Sequence, residues 1–258
     1  MIKAGLKWIV PHGIGRLGAR RVAAEEASKQ SESLRRLYAT LVPSGSTAFD
    51  IGANVGNRVR PLLACGANVI AVEPQPSCVE SLRRTFADEI TVVQAAIGRA
   101  PGRLPLHVSA ELDVVATLSP GFIAHAKESN RLGEREWSRT IEVEVTTLDS
   151  LIARFGEPSF IKIDVEGFEG EALAGLSRPV NVLSFEWTSG MPAAALACID
   201  RSVELGMRFF QFSFGESALF AHRTSLDAAA ARQLVIVLGE DQRLFGDIYA
   251  STSPIVRQ

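Results

Sequence analysis

At 258 residues, 47% hydrophobic and 22% charged, the chain is long enough to bury a full core and suits one α/β domain with decorations. Its three cysteines, Cys65, Cys78 and Cys198, stand at no metal-ligand spacing and leave an odd thiol if any two pair, which excludes a disulfide scaffold and fits a reducing, cytosolic compartment. The formal charge of −2 divides unevenly: residues 1–40 carry eight basic and three acidic side chains, so the body is net acidic and lacks the basic groove that tracking a nucleic acid requires.

Residues 1–44 read as a basic, helical N-terminal extension. The apolar run in IKAGLKWIVPHGIGRLGARR is too short for a membrane span, and no small-residue cleavage site follows it. Two readings stand: a terminal helix packed on the domain or on a neighbouring subunit of a homo-oligomer, or a peripheral contact with the anionic inner face of a membrane. In the second, Trp8, Ile9 and Val10 dip in while Lys and Arg side chains face the headgroups. Leu34, Leu37, Tyr38 and Leu41 recur at helical spacing, predicting a helix over Ser31 to Leu41 that Pro43-Ser44-Gly45 stops.

The domain proper, 45–258, then alternates strand and helix. A strand through Phe49 breaks into a glycine turn; Val59 to Ala64 reads as helix, Asn68 to Val72 as strand, Ser77 to Phe86 as helix and Ile90 to Ala95 as strand. This is the rhythm of a parallel sheet covered on both faces. The rhythm pauses in an insertion of about 99–146, where Arg103 to Val108 and Ile141 to Val145 look like strands around a polar stretch, Ser119 to Ser138, expected to act as a lid over the substrate. The sheet resumes at Phe160 to Val165, with a helix over Glu169 to Leu176, a strand over Val180 to Phe185 and a helix over Ala193 to Leu205. Late strands near Arg208 to Phe214 and Asp247 to Ser251 predict an antiparallel edge. Between them Leu226 to Leu238 is helical in pattern, although LVIVL alone suits a strand equally.

The turn in FDIGANVGN opens at a strand's carboxyl end, where open α/β sheets place ligands, and its amides from Gly52 to Asn57 are expected to begin a helix facing the ligand. Asn54 and Asn57 stand where a dinucleotide fingerprint needs glycines, and Asn57-Arg58-Val59 lacks the Gly-Lys-Ser/Thr ending of a triphosphate loop. What remains is a ligand with a ribose and no demanding phosphates, a description that S-adenosyl-L-methionine fits. Glu73 follows Gly52 by 21 positions, near the ~20-residue spacing at which a carboxylate reaches ribose hydroxyls. Further acids close later strands: Asp164 with Glu166, and Glu186. If the strand ran through IKIDVEG, Lys162, Asp164 and Glu166 would share one side, with Lys162 neutralising an acid.

FDIGANVGN, AVEPQP, QAAIG, TTLDSL, IKIDVEGFEGEAL and SFEW, in this order over roughly residues 45 to 190, resemble the FkbM family of S-adenosylmethionine-dependent methyltransferases. The resemblance implies a class I methyltransferase (Rossmann-like) fold and methyl transfer, usually to a hydroxyl oxygen of a sugar or natural product. It implies that Asp50, Gly52, Ala53, Asn54, Gly56 and Asn57 line the methionine and ribose side. Glu73, with Pro74 beside it, would take the ribose hydroxyls, the Ala95-Ala96 backbone would border adenine, and Asp164 would sit beside the sulfonium or the methionine amine.

Transfer to a hydroxyl needs alignment and an outlet for a proton. Asp164 or Glu186 is expected to take it, or these two with Glu166 to hold a divalent metal ion that acidifies the hydroxyl. His107 and His125, in or near the insertion, are weaker candidates for a base or a ligand. Phe209, Phe210, Phe212 and Phe214 read as core packing. A short-chain dehydrogenase would need a Tyr-x-x-x-Lys pair, but Tyr38 and Tyr249 have Val42 and Ser253 four residues on. A catalytically silent cofactor-binding or tethering module is the remaining alternative.

Overall fold

The computed structural model describes residues 16–109, 116–128, 137, 139–241 and 243–256. The expectations resting on Trp8, Ile9 and Val10, and on much of the stretch from Ser119 to Ser138, fall outside those residues. Helix α1 spans Arg16–Tyr38, far longer than the Ser31 to Leu41 helix predicted from apolar spacing. In the added turns Lys29 pairs with Glu25 at 2.9 Å, and within the predicted stretch Arg35 and Arg36 pair with Glu32 at 2.8 and 3.0 Å; contacts of this kind support a helix without leaving a hydrophobic period.

After it come β1 (Thr47–Ile51), α2 (Val59–Ala64), β2 (Asn68–Val72), α3 (Pro76–Phe86) and β3 (Ile90–Val93). Next is β4 (Ala96–Ile97), and the insertion supplies β5 (Gly102–Val108), β6 (Ala116–Thr117), α4 (Pro120–Glu128) and β7 (Arg139–Thr146). The chain then forms α5 (Leu148–Phe155), β8 (Phe160–Ile163), α6 (Glu169–Ala174), β9 (Val182–Thr188), α7 (Pro192–Glu204), β10 (Phe209–Phe214), α8 (Ala228–Leu238) and β11 (Phe245–Ser251). LVIVL lies in α8, whose N-cap Asp227 accepts the Ala230 amide at 2.8 Å.

The main sheet has seven strands in the order β10-β11-β9-β8-β1-β2-β3. Neighbours from β9 through β3 pair in parallel, while β11 runs antiparallel to both β9 and β10. The class I expectation therefore holds: a mostly parallel sheet, helices on both faces and a late antiparallel edge. The strand order reverses between β1 and β8, which makes their carboxyl ends the switch point.

The pleat divides the core. Phe49, Ile51, Ile161, Ile163, Leu183 and Phe185 face α5 to α8, whereas Ala48, Phe160, Val182 and Tyr249 face α1 to α3. Burying each such large apolar side chain contributes about 1.5–3 kcal/mol. Asp50 and Lys162 share the second parity and meet in register across β1 and β8, so their charges are carried into the sheet on the α1 side.

Two predicted strands end early. Past Val93 the chain leaves the main sheet, the Ala95 amide turning back to the Val93 carbonyl at 3.2 Å, so that Ala96–Ile97 can pair with β7 in a second sheet ordered β4-β7-β5-β6. Strand β8 stops at Ile163, and Asp164 to Gly167 form a turn in which Glu166 adopts φ 52. Lys162, Asp164 and Glu166 consequently do not form one strand face.

Candidate active site

A cavity of about 620 Å³ opens at the switch point. One side is made by Gly52 to Val55, Glu73, Pro74, Ala95 and Ala96; Asp164, Glu166, Glu186 and Asp247 occupy the strand tips, and Ala27, Gln30, Ser31 and Leu34 of α1 form a wall.

The glycine turn is shaped by close approach. Gly52 has φ +80, and a Cβ there would stand 1.9 Å from the Asp164 carbonyl oxygen, so β1 and the turn after β8 touch backbone to backbone. Gly52→Ala is expected to cost more than the roughly 1–2 kcal/mol of a left-handed side chain, because main chain must also move; a urea unfolding midpoint equal to that of the wild type would contradict this.

The turn's amides are used within the protein. Gly52 and Ala53 donate to the Val72 carbonyl at 2.9 and 3.1 Å, and Gly56 donates to Ala53 at 2.8 Å. Asn54 donates to Glu73 Oε2 at 2.9 Å, and Val55 to the Asn54 side-chain oxygen at 2.8 Å. Helix α2 begins only at Val59 and has six residues. The expectation that Gly52 to Asn57 aim a row of amides at the ligand is thus corrected: β2 and Glu73 take the amides of Gly52 to Asn54 and the turn itself takes those of Val55 and Gly56, leaving no phosphate cradle, which suits a ligand without phosphates.

Glu73 closes β2 with Oε1 accepting from the Gln75 amide at 2.8 Å and Oε2 from Asn54. Burial pushes its pKa up against the pull of those two amides. The carboxylate is thereby fixed at the cavity edge.

Two predicted binding residues do not line the cavity. Gly56 lies against α3, where a Cβ would meet the Phe86 ring at 2.3 Å. Asp50 is 1% exposed beneath the turn, and its Oδ2 finds no hydrogen-bond partner among the described residues. Burial raises its carboxyl to about 7, with Lys162 and Arg58 acting in the opposite sense. An unfolded aspartate titrates near ~3.9, so between those values the native state keeps a proton that the unfolded state has lost, and stability falls as pH rises through that window. The Asp50→Asn variant is expected to gain on the wild type between pH 5 and 8, by on the order of 1–4 kcal/mol in urea unfolding; a pH-independent difference would contradict this origin.

The acids converge. One carboxylate oxygen each of Asp164, Glu166 and Glu186 lies within 4.8 Å of the others, and Asp247 faces Glu186 in register across β11 and β9. Beneath them Lys162, its side chain 1% exposed, sets Nζ 2.8 Å from Asp247 Oδ1 and 3.2 Å from Asp164 Oδ2. Its reading as a neutralising partner matches this geometry. Burial alone would raise the Asp164 carboxyl, but Lys162 and then Arg58 outweigh it and hold the group below the ordinary aspartate range. Glu169 fixes the acidic turn, its Oε1 accepting from the Val165 and Gly167 amides at 3.1 and 3.2 Å.

The insertion grips the same turn. Thr117 Oγ1 donates to the Glu166 carbonyl at 2.7 Å, and Phe122 of α4 packs so close to Gly167 that a Cβ there would stand 2.8 Å from it. Neither His107 nor His125 lines the cavity: His107 lies on β5, with Nδ1 3.3 Å from Thr140 Oγ1, and the His125 ring packs on Gly190. Phe210 and Phe212 are fully buried, as core packing requires. Sequence reasoning missed Asp247, Arg58, Glu216 and Gln30, all of which line the cavity; the acid in GDIYA, at a strand with an apolar face, was the available signal for the first.

Residues 50–220 match the methyltransferase FkbM domain. No curated protein matches the chain. Among solved structures it is similar to precorrin-6y C5,15-methyltransferase from Geobacter metallireducens GS-15, at 12% identity and TM-score 0.42 over 89% of this chain and 88% of that one. It is also similar to an rRNA methylase from Streptococcus thermophilus, at 11% identity and TM-score 0.42 over 85% and 94%. A TehB-like S-adenosylmethionine-dependent methyltransferase from Corynebacterium glutamicum ATCC 13032 Kitasato is similar at 11% identity and TM-score 0.41 over 90% and 97%.

Proposed function

The chain belongs to the FkbM methyltransferase family, and from that premise we propose that it moves a methyl group from S-adenosyl-L-methionine to a hydroxyl oxygen of a sugar, a glycan or a small hydroxylated metabolite. Methyl transfer with this donor follows from the family; the acceptor class is our inference. The observation that carries it is the convergence of Asp164, Glu166 and Glu186 at one end of a cavity whose other end presents Glu73. A hydroxyl acceptor must shed a proton, and a carboxylate within reach is the means.

Three features of the cavity support this donor: the turn's amides are paired through Gly56 and form no phosphate cradle, Glu73 is fixed at the cavity edge, and Gly52 lets the turn after β1 close on the Asp164 backbone. When bound, the donor supplies an electrophilic methyl group on a cationic sulfur. Glu73 and Pro74 would hold the ribose, Ala95 and Ala96 would border the adenine, and Asp164 would face the methionine amine. Lys162 and Arg58 hold Asp164 below the ordinary range, and Glu186 shares a hydrogen bond with it, so the acceptor's proton would pass to this carboxylate pair, Asp164 or Glu186, with Glu166 beside it.

The same three carboxylates offer hard oxygen donors that suit Mg²⁺, Mn²⁺ or Ca²⁺. A divalent ion there would lower the pKa of a hydroxyl; Asp164, Glu166 and Glu186 would hold it. Among the described residues no helix is long and apolar enough to cross a membrane. We place the enzyme on the cytoplasmic side, with the basic head available to an anionic membrane surface or a second subunit.

A radiolabelled methyl-transfer screen of sugar and lipid-linked glycan acceptors, run with and without a chelator, tests this reading. Label on a hydroxylated acceptor supports it, and loss of that label in chelator supports the metal. Transfer confined to nitrogen or carbon acceptors would overturn it.

A further inference from the structure

We propose that Arg58 binds the α-carboxylate of the methyl donor's methionine tail, leaving Glu216 to do so. The inference rests on the reading of this cavity as the donor site. The donor carries three charged groups: a sulfonium, an ammonium and one carboxylate. The first two are cations and are served by the acids at the strand tips. The carboxylate is the group this cavity is worst equipped to take, since Glu73, Asp164, Glu166, Glu186, Glu216 and Asp247 all line it and like charges repel.

Other groups able to hold a carboxylate near the turn are already engaged. The amides of the glycine turn are consumed through Gly56. Lys162 is sealed under Asp164 and Asp247 with its side chain 1% exposed and does not line the cavity. Among the described residues that do line it, Arg58 is the one cationic side chain.

Arg58 is also in the right place and incompletely engaged. It follows the glycine turn and immediately precedes α2, and it reaches Glu216, which follows β10 on the opposite side of the sheet order from β2 and Glu73. With the ribose held at Glu73, the methionine tail must run over Gly52 toward β8, which is this side. Its side chain is 19% exposed, and among the described residues it makes one hydrogen bond, Nη2 to Glu216 Oε2 at 3.3 Å. That is a long, single-pronged contact for a guanidinium whose planar fork matches a carboxylate with two parallel bonds. Glu216 is not stranded when Arg58 leaves, because the same Oε2 accepts from Gln30 Nε2 of α1 at 2.7 Å.

Calorimetric titration of the full chain with two ligands separates this role from general damage. S-Adenosylhomocysteine carries the amino-acid tail; 5′-methylthioadenosine has the same nucleoside and no carboxylate. Arg58→Gln is expected to weaken S-adenosylhomocysteine about 10- to 100-fold, the ordinary worth of a charge-assisted bond, and to leave methylthioadenosine within twofold. Glu216→Gln, which removes the competing charge and keeps Arg58, is expected to tighten S-adenosylhomocysteine several-fold, and it supplies a second arm should Arg58→Gln fail to fold. Wild-type binding of S-adenosylhomocysteine that neither variant alters selectively overturns the proposal alone. A wild type that binds neither ligand overturns the donor-site reading and the proposal with it.

Discussion

Glu186→Gln is expected to lower the methyl-transfer rate by about 10²–10⁴-fold, the range over which a positioned acid or base contributes, while S-adenosylhomocysteine affinity stays within a few-fold. The substitution keeps the side chain's size and its hydrogen-bonding oxygen and removes the proton acceptor. Asp164→Asn should lose turnover as well, but with weakened donor binding, because its charge faces the donor side and is held by Lys162 at 3.2 Å. The two variants therefore differ in which constant moves: kcat for Glu186, and kcat together with donor affinity for Asp164. Single-turnover transfer and calorimetry on both variants check this. Full turnover in Glu186→Gln would remove the carboxylate from the chemistry.

Lys162→Met is expected to destabilise the fold by about 3–5 kcal/mol, the cost of stranding buried opposite charges. The Lys162 ammonium is raised well above its ordinary pKa by Asp164 and Asp247, even though burial works against its charge. Without it Asp247, 7% exposed, faces Glu186 with no cation beneath. Adding Asp247→Asn to Lys162→Met should restore part of the loss, since the pair is coupled. Urea unfolding at pH 7 gives the answer, and a loss under about 1 kcal/mol would mean that the charges are solvated well enough to need no partner.

Much of the cavity wall around Gly52 and Glu73 was legible because it is written locally. In FDIGANVGN the acid, the glycines and the helix behind them occupy consecutive positions, and Glu73 sits at a spacing set by one strand–helix–strand unit. The run IKIDVEG announced its own acidic turn. What the sequence concealed depends on partners far along the chain. The amides of Gly52 and Ala53 looked available because their acceptor, the Val72 carbonyl, belongs to another strand. Asp247 reaches Glu186 only through antiparallel register, and hydrophobic pattern does not state that pairing. Apolar periodicity in α1 stops at Ser31, so it missed the wall that Ala27 and Gln30 contribute to the cavity. Glu166, at φ 52, is a backbone exception of the kind found at functional turns, and strand-period reasoning placed it wrongly for that reason.

Crystallography of the full chain with S-adenosylhomocysteine decides the central claim. The account predicts the adenosyl group between Glu73 and Ala95-Ala96, with the thioether sulfur beside Asp164 above Gly52. Ligand density at any other place on the protein, with this cavity unchanged, would contradict it.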